Sequence, residues 1–156
     1  MHRNARLLVA FVVSLVVFLA GNSVISGPAA PPIPAIGSHV EISTLEVGAG
    51  GETYFSTGRF RWMDWFASGR RTTETPVTGL QFYHIKQSLK MGWHPAPRKQ
   101  YLLILQGIFE VEASSGEKRR FPPGSIVLLT DIAGSRGHIA RVIGPEDVFA
   151  AVMPVP

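Results

Sequence analysis

Cysteine is absent from all 156 residues. That removes disulfides, thiolate metal sites and a cysteine nucleophile together, and leaves an oxidising compartment permitted without being required. Charge is sparse as well, with Asp, Glu, Lys and Arg at 17% of the chain. Arg3 and Arg6 carry two of the net +4 charges, and the remaining basic residues are scattered. Their clusters are Arg70-Arg71, Arg98-Lys99 and Lys118-Arg119-Arg120. Runs this short are expected to be solvated loop charges. With no concentrated basic face, nucleic acid is not expected as a partner. The chain also lacks an internal repeat, a long amphipathic helix, a nucleophile elbow and a dinucleotide fingerprint. Gly48-Ala-Gly-Gly51 reads as a flexible turn and not a phosphate loop, because no helix pattern follows to present amides.

What is present begins with a positive start and an apolar run, Leu7 to Ala20. That order matches the n-region and h-region of a secretory signal. The run falls short of the roughly 20 residues of a membrane span, although counting through Ile25 brings it close. Small residues at Ala20, Ser23 and Ser26 offer cleavage points. Residues 1–26 are therefore expected to be a signal peptide or a membrane anchor, the anchor alternative covering 7–25. Either delivers the domain outside the cytoplasm, to the periplasm or the cell exterior. Membrane contact is expected only through this segment. Residues 27–38 follow as a proline-rich, extended linker.

Residues 39–156 form the expected folded domain. Short runs rich in β-branched and aromatic residues alternate with glycine and proline breakers. Candidate strands are 40–47, 53–55, 59–66, 80–87, 101–105, 108–112, 126–129, 138–142 and 148–152. Many short strands with turns between them predict an all-β sandwich or closed barrel. In 108–112, Phe109 and Val111 alternate with Glu110 and Glu112, so one face meets a core and the other water. Segment 101–105 is apolar throughout, as expected of a strand covered on both faces.

Residues 92–144 carry a resemblance. His94 is followed by Ala96, Gln100 and Gly107 at the intervals of the first cupin motif, which is histidine, histidine, glutamate, glycine. Pro123-Gly124 before a strand, and a later histidine, His138, match the second motif. The segment resembles small single-domain members of the cupin superfamily. The resemblance implies a double-stranded antiparallel β-barrel of cupin or jelly-roll type. Metal-binding cupins present three histidines and a glutamate; here Ala96 and Gln100 replace two of these. His138 arrives about three residues late, after an enlarged loop, Thr130–Gly137.

The resemblance places a small-molecule pocket around His94, Gln100 and His138. Trp93 would form an apolar wall, and Arg98, Gln100 and Tyr101 would orient a polar ligand of unassigned identity. An imidazole there could also act as a general base. One divalent transition metal (iron, manganese, nickel, copper or zinc) would draw on His94 and His138. His84, which shares a strand face with Leu80 and Phe82, and the weak amide donor Gln100 would complete its set. Asp131 adds a carboxylate only if its loop folds inward. A metal-dependent dioxygenase or isomerase is thus the alternative to a binding protein. Alanine at both His94 and His138 is expected to leave the fold standing. The aromatic stretch 59–66 is expected to pack in the core. A homodimer contact, or a protein-interaction module dependent on Trp62 and Trp65, is the other use of that strand.

Overall fold

The computed structural model describes residues 37–67 and 69–156. The expected targeting segment and nearly all of the linker lie outside the described residues. The strands are β1 (His39–Val47), β2 (Thr53–Arg61), β3 (Met63–Trp65), β4 (Gly69–Arg71), β5 (Gln81–Ile85), β6 (Gln100–Gln106), β7 (Ile108–Ala113), β8 (Lys118–Phe121), β9 (Ile126–Leu129), β10 (His138–Ile143) and β11 (Val148–Pro154). The fold is all-β, as the breaker pattern predicts. A six-stranded sheet, ordered β2-β1-β9-β6-β11-β5, accompanies a three-stranded sheet, β10-β7-β8, in a jelly-roll type arrangement. The hydrogen-bonded ladder does not run continuously around into a closed barrel. Pairing is antiparallel except between β1 and β9, which run parallel.

One core lies between the two sheets. The large sheet contributes Leu45, Leu102, Ile104, Val127, Leu129, Val148 and Val152, and the small sheet Phe109, Val111, Phe121 and Ala140. Full burial of one such aliphatic side chain is worth about 1.5–3 kcal/mol. Period-two alternation decides which residues enter. In β6, Gln100, Leu102 and Ile104 are buried, while Tyr101 and Leu103 are half-buried and Leu105 is exposed. The expectation of a strand covered on both faces is therefore corrected: the outer face of β6 is only partly covered. That outer face continues across β11 and β5, where Phe149 and Phe82 stack at 5.8 Å between ring centroids, both exposed.

Two other expectations are corrected. β2 is a single nine-residue strand, paired with β1 along its whole length. Ser56-Thr57-Gly58 looks like a break but is not, because Gly58 lies beneath its neighbours. A Cβ there would sit 3.1 Å from Ile42 Cγ1 and 3.2 Å from Thr44 Oγ1. The run Lys118-Arg119-Arg120 is a strand, not a solvated loop. In register with β7, Lys118 faces Glu112 at 3.4 Å and Arg120 faces Glu110 at 2.9 Å. Arg141 of β10 pairs with both glutamates from the other side. Glu110 is consequently buried under its partners instead of meeting water. Arg119 points the other way, with its guanidinium 4.8 Å from the centre of the Phe55 ring.

The β10–β11 turn is pinned by Asp147. Its carboxylate accepts from the Gln87 backbone N–H at 2.8 Å and from His84 Nε2–H at 2.8 Å. The Gln87 amide first, and His84 second, hold the Asp147 carboxyl below its ordinary range. A lowered folded-state pKa contributes stability that is present above the unfolded value and lost as pH falls through the folded one. Asp147→Asn should therefore lower the urea midpoint at neutral pH. The difference from the parent chain should shrink as pH is brought down through and below the aspartate range, measured by urea titration at a series of pH values.

Candidate functional site

The segments 92–96 and 131–138 meet through backbone bonds before any side chain is considered. His94 and His138 form an isolated antiparallel bridge. The His94 N–H donates to the His138 carbonyl at 3.0 Å, and the His138 N–H returns the bond at 2.9 Å. The Ala96 N–H donates to the Asp131 carbonyl at 3.0 Å. Gly137 makes this approach feasible. Its φ is 72°, and a Cβ would lie 2.4 Å from both the carbonyl carbon and oxygen of His94, a contact no side chain tolerates. The loop before β10 is held from below by Thr53, whose hydroxyl donates to the Gly137 carbonyl at 2.8 Å. The Gly137 N–H in turn donates to Ser135 Oγ. Loop 130–137 thus does fold inward, and Asp131 is fully buried.

Hydrogen bonding then fixes both rings. His138 is 3% exposed, and its Nδ1 lies 2.6 Å from Asp131 Oδ2. A carboxylate oxygen accepts, so His138 Nδ1 carries the proton it donates, and in the neutral imidazole the lone pair is on Nε2. His94 Nδ1 lies 2.8 Å from the Gly92 carbonyl, also an acceptor only, which sets the same tautomer. The ring centroids are 4.4 Å apart, tilted by 54°. Among the described residues neither Nε2 has a hydrogen-bond partner. Gln100 opens β6 opposite Leu129, two residues before Asp131, so it sits at this same end. Its Oε1 and the second oxygen of Asp131 are buried without partners. Ala96, in the position of the missing second histidine, is a buried core residue.

The remaining sequence candidates disperse. Tyr101 follows Gln100 in the strand and faces out of the sheet. Arg98 donates from its guanidinium to Gln81 Oε1 at 2.7 Å, and Trp93 is half exposed. His84 lies on the outer face of edge strand β5, bonded to Asp147, so it cannot join the His94–His138 pair. Among the described residues no three His, Cys, Asp or Glu side chains are grouped to hold a metal ion. A cavity of about 380 Å³ at this end is lined by Thr44, Glu46, Val47, Lys99 and Thr130 instead of the two histidines. Sequence reasoning missed the part of Thr53 and gave Asp131 only a conditional one. The tight Asp131-to-His138 spacing across Gly134 and Gly137 was the available signal.

The two histidines should differ as structural elements, an outcome unlike the expectation that both are dispensable for folding. Removing His138 leaves the buried Asp131 carboxylate unpaired, which costs about 3–5 kcal/mol. His94 anchors only to a local carbonyl, so its removal costs about 1 kcal/mol. Urea unfolding of His138→Ala and His94→Ala should show that asymmetry. Gly137→Ala combines backbone collision with a left-handed φ and should cost about 3 kcal/mol or more. In that variant, amide exchange at 94 and 138 should rise as the bridge opens.

No family model matches the chain, and no curated protein matches it. Among solved structures, the chain is similar to the cupin domain of Schizosaccharomyces pombe Cnp3. The match covers 78% of this chain and 86% of that one, at 13% identity and a TM-score of 0.38.

Proposed function

We propose that the chain is an exported cupin-type domain that binds a small molecule at the His94–His138 end, and that this ligand donates hydrogen bonds. One observation carries the reading. Both rings spend their Nδ1 protons on protein acceptors, so in its neutral form each offers a ligand the lone pair of Nε2. Gln100 Oε1, unpartnered and buried, adds a further acceptor at the same end. Buried polar atoms without partners cost free energy until something satisfies them, so a ligand rich in N–H or O–H groups gains the most there. The cupin assignment rests on the motif intervals of 94–107 and 123–138 and on the jelly-roll type sheets. Export rests on the apolar run behind Arg3 and Arg6.

The metal-dependent enzyme fits this end less well. A catalytic metal centre takes about three protein donors, at least one of them often a carboxylate. His94 and His138 provide two imidazole nitrogens. Gln100 adds a neutral amide, and the Asp131 carboxylate is engaged behind His138.

Long-range proton–nitrogen NMR of the imidazoles tests the proposal directly. Titration with small amines and polyols should shift the Nε2 signals of His94 and His138 together, while acetate and phosphate leave them in place. At about a hundred times its Kd, such a ligand also adds about 2.7 kcal/mol to stability, read as a thermal shift that His94→Ala abolishes. A response to the anions alone would overturn the donor reading. Metal analysis of the untagged protein, giving near-stoichiometric metal that His94→Ala removes, would reinstate the enzyme.

A further inference from the structure

The aromatic stretch expected in the core leaves it. After Arg61 the chain breaks at Trp62 and forms a small hairpin, β3 paired with β4 and with no other strand. None of its residues belongs to the core cluster. Trp65 is 48% and Phe66 81% exposed, with their rings 4.8 Å apart at the hairpin tip. Phe66 adopts a φ of 57°, a left-handed conformation that costs a residue with a bulky side chain. Register places Met63, Trp65 and Arg71 on one face, with Asp64 and Arg70 on the other. Behind the tip stand Arg61, Arg70 and Arg71, all exposed, and none forms an ion pair among the described residues. Asp64 is the one acid of segment 61–71.

The hairpin's place in the domain adds a second, independent observation. Arg61 is paired with His39, the first residue of β1, and the Trp62 N–H faces the Ser38 carbonyl at 3.4 Å. The hairpin therefore springs from the end where the chain enters the domain. Thr53, at the other end of β2, bonds Gly137 beside the histidine pair. At the usual rise per residue, β2 separates these two ends by roughly 26 Å.

We propose that the β3–β4 hairpin docks on an anionic phospholipid surface. Trp65 and Phe66 enter the headgroup region, and Arg70 and Arg71 rest on the phosphates. Trp65 favours that interfacial layer because its ring is apolar while its N–H can meet water, and Phe66 adds apolar area beside it. A basic group near an anionic surface adds about fivefold to partitioning. Charge complementarity selects the lipid surface over an uncharged partner. Docking there would add a domain contact to the N-terminal one expected from the sequence, and it leaves the histidine end pointing away from the bilayer.

The test uses the full chain with Trp62→Phe and Trp93→Phe, so that Trp65 alone reports. Vesicles of equal phosphatidylglycerol and phosphatidylcholine carry brominated acyl chains. Trp65 emission should move to the blue and be quenched, and Arg70→Gln with Arg71→Gln should lower the partition coefficient read from the quenching titration by about 25-fold. Replacing phosphatidylglycerol by phosphatidylcholine should lower it similarly. In the unaltered chain, amide exchange over 63–71 should slow on the same vesicles, a readout that needs no tryptophan substitution. Chain that sediments with vesicles while Trp65 stays unquenched is held by its N-terminal segment alone, and overturns the proposal. A blue shift that follows protein concentration without vesicles means that two copies pair through the hairpin, which also overturns it.

Discussion

The histidine end depends on a backbone contact with no room in it. Residues 94 and 138 exchange both of their amide bonds, and they can do so only because position 137 carries no side chain. That contact brings Ala96 onto the Asp131 carbonyl, closes the enlarged loop over the core and buries the Asp131 carboxylate. Once buried, the carboxylate must be satisfied, and His138 is the donor within reach. The tautomer of His138 is thus a consequence of chain path, several steps removed from any ligand. A polar network set inside an apolar sandwich is held to one arrangement because a half-satisfied version of it is costly.

Much of the fold was legible because the physics is local. Runs of β-branched and aromatic residues between glycine and proline breakers located β6, β7, β9, β10 and β11 nearly to the residue, and the glycine run at 48–51 marked the β1–β2 turn. What escaped depends on partners far away in sequence. Lys118, Arg119 and Arg120 look like solvent-facing charges until Glu110 and Glu112 are set opposite them. Gly58 looks like a breaker until Ile42 and Thr44 are seen above it. His84 and Phe82 do share a face, as their spacing says, but spacing cannot say whether that face looks inward. The same limit applied to Tyr101: its neighbour Gln100 points in, so Tyr101 must point out. Asp131 was legible as a residue but not in its role, which required the loop path.

The two proposed sites lie at opposite ends of β2. At one end sit exposed rings and guanidinium groups that have no ion pair among the described residues, beside the start of β1. At the other sit imidazoles and orphan oxygens enclosed by a tightly bonded loop. The packed interior between them contains no described polar relay. Substitutions at one end should therefore leave the other little changed, in line with the additivity of well-separated sites.

The two outer faces of the sandwich respond to salt differently. On the small sheet, Lys118, Arg120 and Arg141 interleave with Glu110 and Glu112 at contact distances far inside the Debye length of about 10 Å at moderate ionic strength, so ions screen them little. On the large sheet, Phe82, Phe149 and Leu105 present uncharged surface, and strongly hydrated salts such as sulfate drive such surface together. Rising ionic strength therefore leaves the cross-strand pairing on one side in place while making the opposite side more adhesive. In sulfate the domain would keep its charge ladder and become stickier across the aromatic face of β5 and β11.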